Sequence, residues 1–151
     1  MSAVFDVLTS QAQVILDDSA QALQRSDQPH YVQEGSEASR QRLARLLELV
    51  TVSVDRRDLV PMIDYATSVA NERFDAGFDV REVQCAFHVL EEAIWERVVN
   101  SVSQTELAES LGLVGTVLGA GRDALARTYV SRASQQHVSS LDLSALFRGG
   151  H

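Results

Sequence analysis

The chain has 151 residues, 45% of them hydrophobic, which suits one globular domain and excludes global disorder. Its 21 acidic residues outnumber 13 basic ones, every one of them arginine, for a formal net charge of -8. That balance argues against a nucleic-acid groove and an anionic membrane surface, and the lack of lysine excludes Schiff-base chemistry and a P-loop.

Periodicity and capping residues predict five main helices and no strand. The first spans about Ala3 to Arg25, with Val4, Leu8, Ile15, Leu16 and Leu23 on its apolar stripe. Ser26-Asp27-Gln28-Pro29 breaks it, because proline disfavours a helical residue before it. His30 to Ser36 reads as a polar connection. The second helix runs about Glu37 to Val54, with Ser36 as its N-cap and Leu43, Leu46, Leu47, Val50 and Val54 on one face. The third follows Asp58 as N-cap, carries Pro61 in its first turn, and buries Met62, Ile63, Ala66, Val69, Ala70 and Phe74. Gly77 ends it in the left-handed conformation of a C-cap.

The fourth helix starts at once, with Asp79 as N-cap and Glu82 three residues later in a capping-box arrangement. Val83, Phe87, Leu90, Ile94 and Val98 make its stripe. The fifth follows Ser103 and runs as far as about Arg132, with Leu107, Leu111, Val114, Leu118, Leu125 and Tyr129 in helical rhythm. The expected fold is therefore an all-α, single-domain helical bundle over residues 1–134, followed by a C-terminal tail over 135–151. That tail holds Val138, Leu141, Leu143, Leu146 and Phe147, an apolar content that can dock as a small amphipathic helix on a partner or pack on its own domain.

Four features compete as functional surfaces. Cys85 and His88 share a helix face, but a structural zinc site wants four ligands, so no metal is expected; haem through His88 is the alternative. Arg81, Cys85, His88, Glu92 and Trp95 follow at helical spacing, either as a ligand- or partner-facing stripe or as a solvated helix edge beside a packed Trp95. Gly112, Gly115, Gly119 and Gly121 lie in one helix, where each costs about 1 kcal/mol relative to alanine. Gly115 and Gly119 either present a groove to a close partner helix or mark a break near Gly119-Ala120-Gly121. With Leu107, Leu111, Val114 and Leu118 they form the candidate homodimer interface. Leu141, Leu146 and Phe147 extend the candidate partner surface. No catalytic carboxylate pair, nucleophile–base pair or glycine-rich phosphate loop is present in the sequence.

The single cysteine points to a reducing compartment. The N-terminus lacks the basic and apolar regions of a signal peptide, and the longest uncharged run, Ser110 to Gly121, is short of the ~20 residues that span a bilayer. A cytoplasmic protein is expected.

The segment Arg73-Phe74-Asp75-Ala76-Gly77-Phe78, followed by Val83, Phe87 and Trp95, resembles the N-terminal domain of RsbRD-type proteins, co-antagonists in bacterial sigma-factor stress signalling. The Leu-rich helix from Arg42 to Val50 also fits, and the likeness covers roughly Ala3 to Arg132. The resemblance implies a non-catalytic sensory or dimerisation module, globin-like without haem, that pairs through its last helix and precedes an effector domain. This sequence stops soon after its fifth helix, which suggests a standalone regulator or adaptor. The expected function is a signalling module that dimerises and regulates a protein partner in stress or transcriptional signalling, with a haem or small-ligand sensor of globin-like shape as the alternative.

Overall fold

The computed structural model of the chain describes residues 2–26 and 28–141, leaving aside the side chains of 137–141. Among them lie seven α-helices and no strand: α1 (Ala3–Ser10), α2 (Ala12–Arg25), α3 (Pro29–Glu34), α4 (Ser36–Arg56), α5 (Val60–Asp75), α6 (Val80–Ser101) and α7 (Gln104–Leu141). The all-α expectation holds, with seven helices in place of five.

Two differences account for the count. The expected first helix is broken at Gln11, whose backbone sits at φ -110 and ψ 18. The Thr9 hydroxyl donates to the Phe5 carbonyl at 3.0 Å and the Ser10 hydroxyl to that of Asp6 at 2.6 Å, back-bonds of the kind that bend helices. The apolar stripe continues across the break, so Val4, Val7, Leu8, Ile15, Leu16 and Leu23 are all buried. The second difference is α3, expected as connection. Pro29 occupies its first turn, where a missing N–H costs nothing, and Tyr31 is buried.

Caps shift slightly from expectation. Gly35 is the N-cap of α4 and Ser36 its first helical residue. Leu59 is the N-cap of α5, while the Asp58 carboxylate accepts from the Val60 N–H at 3.0 Å and still satisfies an otherwise orphaned donor. Helix α4 closes with Arg57 in the left-handed region at φ 50. The Asp58 N–H then donates to the Ser53 carbonyl (3.1 Å) and the Arg57 N–H to that of Val54 (3.3 Å), a Schellman closure built on a non-glycine residue.

The long helices pack side by side. Arg132 of α7 donates to Asn71 of α5 at 2.9 Å, and Leu59 shares a groove with Leu113, so α5 and α7 run parallel. Helix α6 returns antiparallel along α7 and meets α5 only slightly. On its other side it runs antiparallel to α2, joined by Arg97 donating to Asp18 (3.2 Å) and Gln11 donating to Ser101 (2.8 Å). Gly121 is the closest approach: a Cβ there would lie 2.8 Å from a ring carbon of Phe87 and 2.9 Å from the Met62 sulfur. Helix α7 is unbroken through Gly119-Ala120-Gly121, so the expected alternative of a break there is not found, and it runs on past residue 134 to Leu141.

Two substitutions test the left-handed closures. Nothing lies within 4 Å of a Cβ built on Gly77, so Gly77→Ala should cost about 1 kcal/mol through backbone conformation alone. Arg57→Gly should gain up to about 1 kcal/mol for the same reason with opposite sign. Urea unfolding of both variants checks the pair; equal and unchanged midpoints would contradict these turns.

Candidate functional site

The turn between α5 and α6 ties several helices together. Gly77 has φ 85. The Phe78 N–H donates to the Arg73 carbonyl at 3.0 Å and the Gly77 N–H to that of Phe74 at 3.1 Å, a Schellman closure. Helix α6 then starts under a capping box. Asp79 accepts from the Arg81 N–H at 3.0 Å, and the Glu82 carboxylate accepts from the Asp79 N–H at 3.2 Å.

Phe78 is buried between these ends. The His30 ring stacks on it at 4.3 Å, and Tyr31 meets it edge-on at 5.6 Å. The Arg73 guanidinium lies 5.0 Å from its centroid and that of Arg42 5.7 Å. Its carbonyl accepts from the Tyr129 hydroxyl of α7 at 3.0 Å. Arg73 is only 7% exposed, and its nearest carboxylate, the exposed Glu72, is 3.5 Å away. Arg42 is paired with Glu34. Burial pushes Tyr31 far up and Tyr129 up to about 12, so both hydroxyls stay protonated.

Glu82 is buried here and accepts from the His30 ring (Nδ1, 2.7 Å) and from the His30 backbone N–H (3.2 Å). Burial alone would raise its carboxyl, but the bonds from the His30 ring and from the Asp79 and His30 N–H groups outweigh burial and hold it below its ordinary value. Sequence reasoning missed this pair, because His30 lay in a segment too short to show a period. The signal was Pro29, which suits the first turn of a helix.

The stripe expected on α6 is present on its outer side. Arg81 is exposed and Cys85 half-buried. The His88 side chain is 65% exposed and its Nε2 lies 3.0 Å from Glu92. Trp95 is 43% exposed, so it stands at the surface and not in a neighbouring helix. Beside them, α2 and α6 border a shallow groove of about 250 Å³ that includes Asp18, Arg25, Glu92 and Arg97. Cys85 and His88 lack further ligands: among the described residues no group of three His, Cys, Asp or Glu side chains could hold a metal. A haem on His88 would sit on the outer surface, so these residues do not fit a buried haem pocket.

On α7, the expected interface divides. Val114 and Leu118 are fully buried in the chain's own core, and Leu107 and Leu111 are half-buried against it. They are core residues first, because the long helix closes the bundle through that stripe. Gly115 and Gly119 lie elsewhere on the helix, with Gly112, and among the described residues nothing is within 4 Å of a Cβ at any of the three. Leu141 is the last residue of α7; its side chain, Leu146 and Phe147 fall outside the described residues. No helix among those described is long and apolar enough to cross a membrane.

A folded carboxyl held below its unfolded value adds stability that is present above the unfolded pKa and lost as pH falls through the folded one. The Glu82 contribution should therefore fade below about pH 4.5. Glu82→Gln keeps an acceptor for the Asp79 N–H and removes the charge facing His30. Urea unfolding across acid pH should show a steeper loss in the parent than in the variant; parallel curves would remove Glu82 from the acid response.

Residues 6–140 match the family described as the RsbT co-antagonist protein rsbRD N-terminal domain. No curated protein and no solved structure matched the chain. With most of its length matched, including the α5–α6 turn, the aromatic positions of α6 and nearly all of α7, the chain belongs to the RsbRD N-terminal domain family.

Proposed function

We propose that the chain is a non-catalytic regulatory module that forms a homodimer and acts on a protein partner in a sigma-factor stress pathway, in the sense of the co-antagonist role that names its family. The observation that carries the dimer is the outer face of α7. Gly112, Gly115 and Gly119 each cost about 1 kcal/mol in a helix interior, and none is required by a contact among the described residues. Gly121 shows what such a residue does when it is needed: it admits Phe87 and Met62. A second α7 approaching Gly115 and Gly119 would give the outer glycines the same use. Val130, 66% exposed, continues that face.

The partner surface we assign to the stripe Arg81, Cys85, His88, Glu92 and Trp95, exposed except at the half-buried Cys85. An exposed tryptophan beside an ion pair and a shallow groove combines an aromatic anchor with polar selectivity. The chain's acidity favours a partner with a basic face.

Gly119→Leu should leave the monomer fold intact, because its Cβ meets open space, and should shift the protein from dimer to monomer in light scattering at micromolar concentration. A parent chain that is monomeric at every accessible concentration would overturn the dimer. Trp95→Ala should reduce co-purification of a partner from the native cell by about tenfold or more, the loss of a central aromatic anchor, without lowering the melting temperature.

A further inference from the structure

Arg73 is almost wholly buried, and its charge is largely uncompensated. Its nearest carboxylate is Glu72 at 3.5 Å, on an exposed side chain. Two phenols stand close by. Tyr31 of α3 is 5% exposed and Tyr65 of α5 is half-buried. Burial pushes both hydroxyls up, so both remain protonated donors. Nearby arginines offset part of that rise: Arg73 then Arg42 at Tyr31, and Arg45, Arg73 and Arg42 at Tyr65. The Arg42 guanidinium closes the group from α4, since it and Arg73 lie 5.7 and 5.0 Å from the same Phe78 ring. Arg45 stands at the outer edge, 5.8 Å from the Tyr65 ring.

Among the described residues neither phenol hydroxyl has a hydrogen-bond partner, and Arg73 has none beyond the long Glu72 contact. The partnerless side-chain atoms sealed from solvent there are the Ser53 hydroxyl and the Arg97 Nε. The Tyr31 hydroxyl and the Arg73 guanidinium are therefore not sealed. They open to solvent although the residues that carry them are more than nine-tenths buried. Buried donors are ordinarily paired. Arg42 and Arg45 are already matched by Glu34 and Glu48, so Arg73 is the cation in excess. Unpaired donors converge here from three helices around that cation, an arrangement suited to an anion.

We infer that this opening takes a small tetrahedral oxyanion of the phosphate class. The Arg73 guanidinium donates to two of its oxygens as a planar fork. The Tyr31 and Tyr65 hydroxyls donate to the others, and Arg42 adds its charge from the rim. A carboxylate offers two oxygens, too few for donors converging from α3, α4 and α5. The chain's net charge of -8 repels anions at large, so binding has to come from this local set. The inference does not rest on the regulatory reading above, because neither the outer glycines of α7 nor Trp95 takes part.

Sodium phosphate, methyl phosphate and sodium acetate, titrated separately at neutral pH and equal ionic strength into the isotope-labelled full chain and followed by amide NMR, test it. Phosphate should give saturable shifts at Tyr31, Arg42, Tyr65 and Arg73, and acetate should bind at least about tenfold more weakly. Tyr31→Phe and Tyr65→Phe each remove a hydroxyl that holds nothing in the free protein. Both should weaken phosphate several-fold while leaving the melting temperature in chloride unchanged. Arg73→Gln should abolish binding, and phosphate should raise the melting temperature of the parent but not of this variant. Methyl phosphate binding as tightly as phosphate would assign the site to a phosphoryl group carried by a larger molecule, and much weaker binding would assign it to the free ion; either outcome keeps the oxyanion site. No saturable shift with either phosphate, or shifts unaffected by both tyrosine substitutions, would overturn it. Acetate binding as tightly as phosphate would overturn the tetrahedral assignment.

Discussion

Phe78 stands where five helices meet. It follows the end of α5 and precedes the start of α6. His30 and Tyr31 bring α3 to its ring, Arg42 brings α4, and Tyr129 brings α7 to its carbonyl. Gly77 makes this possible, because only a positive φ reverses the chain in time for Asp79 to cap the next helix. In the usual Schellman closure an apolar side chain packs against the residue just beyond the cap. Here the partner is Arg73, and the contact becomes cation–π.

That substitution has an electrostatic consequence. A buried cation costs several kcal/mol unless it is compensated. Glu72 contributes little, being mostly exposed and 3.5 Å away. The ring face of Phe78 supplies part of the compensation, worth about 2 kcal/mol for a desolvated pair. Nearby Glu82 keeps its charge because His30 and two backbone N–H groups hold it. The turn is thus a balanced polar cluster inside an apolar bundle. Removing one member leaves another stranded, which favours a single arrangement of α3, α5, α6 and α7.

Most of the helical frame was legible because stripes on long helices are read at one period. Leu43, Leu46, Leu47, Val50 and Val54 are buried as their spacing requires, and so are Val83, Phe87, Leu90, Ile94 and Val98. Asp79 and Glu82 declared the start of α6 through their spacing alone. What escaped was set by tertiary contact. Six residues of α3 cannot show a period, so the approach of His30 to Glu82 was hidden. The break at Gln11 depends on which carbonyls Thr9 and Ser10 choose. Val114 and Leu118, expected in a dimer seam, lie in the chain's own core, because both uses demand the same apolar spacing.

The glycines of α7 separate those uses. At about 100° per residue, Gly112, Gly115 and Gly119 fall within roughly 60° of one another, while Gly121 lies nearly opposite Gly119. The inner glycine fixes the helix against Phe87 and Met62. Turning α7 about its axis by one residue would bring the Cβ of Ala120 or Arg122 into that contact, where even a methyl group is too close. The close contact at Gly121 therefore opposes rotation of the helix about its axis. Twisting the outer face independently would require Phe87 and Met62 to yield first.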